Sequence, residues 1–218
     1  MSNLPDPVAV FALVIAFGFA APAALMTTCY TKLVIVFGLL RTALGLQQTP
    51  PTVVLNGIAF ILSIYIMAPV AMDVGDVYRA HPPAANATGT EQAMATLGAV
   101  QGPMTLFLKK HTHDRERKFF LKTAAGIWPA NRVREIGEES LVILVPSFVL
   151  GEITRAFQVG FVMYLVFVVV DLIVATVLLA LGMSMISPST VSLPFKLLLF
   201  VVLDGWSRLI HALIMSYQ

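Results

Sequence analysis

The sequence predicts an all-α membrane protein: two long hydrophobic helical hairpins flanking a small polar helical segment. Three observations carry this prediction. Of 218 residues, 58% are hydrophobic and 12% charged, with a mean hydropathy of +0.85, against about 25% charged in an average globular chain. The charges are crowded: 17 of 26 lie between Asp73 and Glu139. Only Asp6, Lys32 and Arg41 precede them, and Glu152, Arg155, Asp171, Lys196, Asp204 and Arg208 follow. The remaining apolar stretches approach or exceed the roughly 20 residues that a spanning helix needs. Residues 1–72 and 140–218 are therefore the two hairpins, and residues 73–139 the polar, partly helical segment.

In chain order, Val8–Thr31 is the first span, interrupted only by Pro22, and Val53–Met72 the second, with Pro69 near its end. Proline has no N–H, so Pro22 frees the carbonyl of Gly18 and Pro69 that of Tyr65, and a bend is expected at each. In the middle, Asp76–Glu91 is turn-rich. Met94–Ala124 mixes apolar and charged residues at helical spacing, with Phe107, Leu108, Phe119 and Phe120 available to pack. Phe157–Ile186 is the third span, 30 residues or about 45 Å as a helix. A turn over Ser187–Ser192 then leads into the fourth, Leu197–Met215. Placing Lys32, Arg41 and Lys196 in cytoplasmic links obeys the positive-inside rule, which turns the polar segment and both termini outward.

Composition also excludes several functions. A net charge of +2 with no long Lys/Arg run argues against nucleic acid. The single cysteine, Cys29, rules out an internal disulfide framework and is expected to be a small buried hydrophobe. His111 and His113 lack a third and fourth ligand nearby, so neither metal nor cofactor is expected. Asn86-Ala87-Thr88 is read as a chance sequon. MSNLPDP lacks a basic n-region, so the first apolar stretch is expected to be retained.

The isolated charges are the candidate functional groups. An Asp at a bilayer centre costs about 2.5–3.5 kcal/mol on insertion scales, so Asp171 is expected to face protein or a watery path. It lies on a stripe with Gly160, Tyr164, Phe167, Ala175, Leu178 and Gly182, where small and polar residues favour close helix packing. Counting out from the expected turn sets Asp171 level with Arg208. Pairing within the hairpin and a pore- or subunit-facing role stand as equal alternatives. Glu152 reads as a carboxylate at a helix start, and Lys196 as a topogenic lysine, unless the two pair between subunits. Met183 and Met185, where the long helix stops before Pro188, read by themselves as packing, although flexible thioethers also adapt to changing shapes.

Three segments together resemble the FliP/SctR export-gate family of flagellar and virulence type III secretion systems. They are Thr31–Ala59, with Arg41, Gly45, Gln47, Gln48, Pro50 and Pro51 at its centre; PSFVLGEITRAFQVGF, Pro146–Phe161; and Val168–Trp206. Length and the missing signal look more like the virulence branch. The resemblance implies a non-enzymatic protein of the bacterial inner membrane that conducts unfolded secreted proteins. It implies a homo-oligomer, a pentamer in related assemblies, joined by FliQ/SctS-like and FliR/SctT-like subunits and a FlhB/SctU-like switch protein. It also implies hairpins raised toward the periplasm as a cone, and a methionine gasket at Met183 and Met185. Ser184 stands where another Met is common, and Val166 where a proline is common.

Two competing functions remain. A small ion or solute transporter would use Asp171, Asp204 and Arg208 as relay groups, but the two arms are not inverted repeats. An intramembrane aspartic protease would need Asp171 and Asp204 as a dyad, and Leu203-Asp204-Gly205 lacks the GxGD context of such enzymes.

Overall fold

The computed structural model describes residues 15, 18, 22–83 and 88–218. Among these the chain is all-α, with no strand. Half of the expected span Val8–Thr31, including most of the residues before Pro22 on which its bend depends, lies outside the described residues. Pro22, which follows the undescribed residue 21, is itself helical, as are residues 23–27.

The stretch expected as a link is instead a helix, α1, Tyr30–Ala43. Leu33, Val36, Phe37 and Leu40 recur at helical spacing and are all buried, which is the periodicity of a helix with one packed face. α1 ends on Gly45, whose φ of +79° is left-handed. Gly45 N–H donates to the carbonyl of Thr42 and Leu46 N–H to that of Arg41, at 3.0 and 3.1 Å, the two bonds of a Schellman cap. Pro51 then precedes α2, Thr52–Ala80, which runs through Pro69 and past Met72 to take in Asp73, Asp76 and Arg79.

In the polar segment, Thr88 and Glu91 form a capping box that opens α3, Gly89–His111. α4 is Asp114–Ile127 and α5 Ala130–Glu135. α6, Leu141–Ala180, is 40 residues, about 60 Å long. It starts well before the expected Phe157, because Pro146 forgoes one backbone bond without ending the helix.

The last arm also departs from expectation. α6 stops at Gly182, φ +72°, again in a Schellman cap: Gly182 N–H donates to Leu179 and Met183 N–H to Leu178. Pro188 is not the end of a helix but the first residue of α7, Pro188–Val202, where its missing N–H costs nothing. The turn therefore falls at 181–187, not 187–192. The expected helix Leu197–Met215 is broken by 61° between α7 and α8, Gly205–Met215. At the break Asp204 adopts φ +52°, and Gly205 leaves room for the ring of Phe200, which a Cβ would meet at 2.3 Å.

α1 lies along α6 more extensively than any other helix pair packs. Gly160 permits this approach, since a Cβ there would stand 2.2 Å from Leu39 Cδ1 and 3.0 Å from Leu39 Cβ. The core gathers Leu33, Phe37 and Leu40 of α1, Leu144, Phe148 and Phe167 of α6, and Leu209 and Leu213 of α8. Among the described residues, α2 and α6 are long and apolar enough to cross a membrane, and α7 with α8 adds a third span if the bent pair counts as one. Of the three cations expected in cytoplasmic links, two are not in links at all. Lys32 is 2% and Lys196 5% exposed, so both are buried helix residues rather than link charges.

Candidate functional site

The tip of the last hairpin is apolar and unpacked. Gly182 sends the backbone out of α6, and Pro188 starts its return, so the side chains of 183–186 project between two helix ends. Met183 is 46% and Met185 98% exposed. Leu181 and Ile186 beside it are exposed too, so the tip is a continuous exposed apolar patch.

The root of this hairpin is stapled. Lys196 Nζ donates to Asp171 Oδ2 at 2.6 Å, and Ser192 donates its hydroxyl to Oδ1. Lys196 also reaches the carbonyl of Ala43 at 3.4 Å, where a cation complements the C-terminal end of α1. Of the two alternatives for Asp171, pairing within the hairpin named Arg208 as the partner. The earlier turn brings up Lys196 instead, twelve residues nearer along the chain. Of the Asp171 stripe, Gly160, Phe167 and Leu178 are buried, while Tyr164 is exposed.

A second ionic group is buried between the arms. Glu152 is not at a helix start; it lies a dozen residues inside α6 and is 0% exposed. Tyr217 donates its phenol O–H to Glu152 Oε2. Lys32 Nζ stands 3.7 Å from the same oxygen, and the Arg155 guanidinium 2.9 Å from Oε1. Lys32 also donates to Ser216 Oγ at 2.7 Å and sits 3.9 Å above the Tyr217 ring, a cation–π contact. Arg155 donates to the backbone carbonyl of His111. The His111 ring packs against Phe107 and Tyr217, at centroid distances of 4.7 and 5.3 Å. Burial, then the cations Lys110, Arg155 and Lys32, push its pKa down to about 4. Thus one carboxylate ties α1, α3, α6 and the segment after α8 together. Sequence reasoning missed Arg155, His111 and Tyr217 in this role and left Lys32 in a link. The available signal was that Lys32, Glu152 and Arg155 each stand nearly alone in apolar surroundings and each demand a partner.

The remaining candidates are dispersed. Arg41 donates to Thr52 Oγ1 at 3.0 Å and to the carbonyl of Pro50 at 3.4 Å, closing the loop that holds the exposed Gln47 and Gln48. Pro51 caps α2, and Pro69 lines a shallow pocket with Tyr65 and Tyr217. Asp204 accepts from Ser207 Oγ at 3.0 Å. Arg208 has no carboxylate within 4 Å among the described residues and lines a cavity of about 600 Å³ between α1, α6, α7 and α8. Asp171, Asp204 and Arg208 do not converge on one relay, nor Asp171 and Asp204 on a dyad: each carboxylate is engaged by its own neighbours.

Residues 13–213 match the FliP family. A hypersensitivity response secretion protein HrcR from Ralstonia nicotianae is 50% identical over 198 residues, 90% of each chain. The Yop proteins translocation protein R of Yersinia pestis is 42% identical over 217 residues, 100% of this chain and 99% of that one. A virulence protein YscR from Salmonella typhimurium is 36% identical over 99% of this chain and all of its own.

Proposed function

The chain belongs to the FliP family, and from that premise we propose that several copies form the wall of a type III secretion pore that passes unfolded proteins across the bacterial inner membrane. It is an all-α membrane protein and a structural component of protein export. Relatives named for the hypersensitivity response, Yop translocation and virulence favour the injectisome branch. Copies of the chain would assemble as a pentamer with FliQ/SctS-like and FliR/SctT-like subunits, engage a FlhB/SctU-like protein, and stand raised toward the periplasm.

The observation that carries this is the tip of the last hairpin. Met185 is 98% exposed and Met183 46%, on a turn whose root is fixed by the Asp171–Lys196 pair. Brought together around an axis, such tips would make an apolar constriction, which excludes ions by dewetting. Unbranched thioethers would then deform around the varied side chains of a passing substrate. The exposed apolar faces of α2 and α6 (Phe60, Ile61, Phe161 and Leu165 among them) would meet sister copies or lipid.

The test is conductance of the purified assembly in planar bilayers with Met183→Ala and Met185→Ala together. Raised ion leak from particles of unchanged size is expected. Wild-type conductance from intact particles would show that these methionines are not the seal.

A further inference from the structure

Arg41 holds closed a loop that the pore assignment leaves without a role. This loop, Gly45–Pro51, is braced from several sides. Gly45 supplies the left-handed cap of α1, and Arg41 donates to the Pro50 carbonyl and to Thr52 Oγ1. Leu46 and Pro50 close a cavity of about 160 Å³ against Leu197 and Val201 of α7. Gly45 lies so near α7 that a Cβ there would meet Leu193 Cδ1 at 3.6 Å. The loop is thus seated on the flank of the hairpin that ends in Met183 and Met185.

Its outer surface is polar, neutral and unengaged. Gln47, Gln48 and Thr49 are exposed, and neither glutamine amide hydrogen-bonds to another of the described residues. No charged residue occurs between Arg41 and Asp73, and Val53 and Val54 beside the loop are exposed as well. A primary carboxamide carries the same N–H donor and C=O acceptor as a peptide group. Two adjacent ones on a braced loop have little freedom left to lose on binding. Folded proteins pair their buried peptide groups internally, whereas an extended chain offers them free.

We propose that Gln47 and Gln48 form a contact site for extended polypeptide, hydrogen-bonding to its main chain without regard to its sequence. The lack of charge around the loop suits substrates of either sign. The site rests on the reading of the protein as an export pore, and adds to it a second place, apart from the methionine tip, that touches the substrate.

The test uses the assembly purified with its partner subunits and carrying Thr49→p-benzoylphenylalanine as a photo-cross-linker. The probe is a short, uncharged, fluorescent peptide of glycine, serine, threonine and alanine. Capture of the peptide at the loop is expected, and the same peptide N-methylated at alternate residues should be captured several-fold less. Without the cross-linker, Gln47→Ala and Gln48→Ala should each weaken peptide binding about fivefold by fluorescence anisotropy, the loss of one neutral hydrogen bond. Equal capture of the methylated and unmethylated peptides, binding indifferent to both alanine variants, or cross-linking to a sister copy alone would overturn the site. Methylation alters only the peptide, so that comparison decides even if the alanine variants fail to assemble. Met185→p-benzoylphenylalanine separates this site from the pore reading. Capture at the tip without capture at the loop removes the site and leaves the pore; capture at neither counts against both.

Discussion

The phenol of Tyr217 donates to the carboxylate of Glu152 across 65 residues of chain. With Lys32 above the Tyr217 ring and Arg155 on the other oxygen, this bond closes the last helix onto the first. Tyr217→Phe keeps the ring under Lys32 and removes one hydrogen bond to a charged group, a loss of about 1.5–3 kcal/mol. Glu152→Ala strands Lys32 and Arg155 without their counter-charge and should cost more, about 3–5 kcal/mol. Denaturant unfolding in detergent gives both values, and the order of the two variants is the discriminating result. Equal losses would mean that the carboxylate matters only through the phenol.

Asp171 and Lys196 differ in burial, and that makes their substitutions unequal. The Lys196 side chain is 6% exposed and that of Asp171 37%. Asp171→Ala leaves an ammonium enclosed without its carboxylate, expected to cost about 3 kcal/mol. Lys196→Ala leaves a carboxylate that water and Ser192 still reach, nearer 1 kcal/mol. A double-mutant cycle on unfolding midpoints measures the coupling. Single variants of equal cost would contradict this asymmetry.

The fold class was legible because composition and charge crowding act over hundreds of residues. The details were not, where one residue had two meanings. Pro188 can end one helix or begin the next, and choosing the end displaced the partner of Asp171 from Lys196 to Arg208. Gly182, already on the stripe, held the better clue, because a glycine just past a long apolar helix marks its left-handed cap. Lys32 was read as a topogenic charge although Leu33, Val36, Phe37 and Leu40 beside it have helical spacing. No local pattern could reveal Tyr217 and Glu152 as neighbours, since their meeting depends on the break at Asp204 and on the path of α8.

Gly160 sets how closely α1 approaches α6. Gly160→Ala places a methyl 2.2 Å from Leu39 Cδ1, which Leu39 can relieve only in part because its own Cβ lies at 3.0 Å. Overpacking of this kind costs about 1–3 kcal/mol. Leu39→Ala in the same chain should recover most of that loss, read as thermal midpoint in detergent. Failure of the second change to rescue the first would place the damage elsewhere than at this contact.

His111 should make stability depend on pH. Its ring is buried against Phe107 and Tyr217, and it faces the cations Lys110 from α3, Lys32 from α1 and Arg155 from α6. Burial and the three cations hold its pKa at about 4 instead of 6.5, so the folded chain keeps the ring neutral where the unfolded chain protonates it. Between these values the unfolded state binds more protons, and stability falls as pH falls. The contribution is complete above about pH 6.5 and lost on approaching pH 4, at most about 3 kcal/mol. His111→Phe preserves an aromatic ring without a titrating nitrogen, so its unfolding midpoint should change less than that of the wild type between pH 7 and pH 4.5. Parallel pH profiles for the two proteins would assign the acid sensitivity to the carboxylates, with Glu152 first among them.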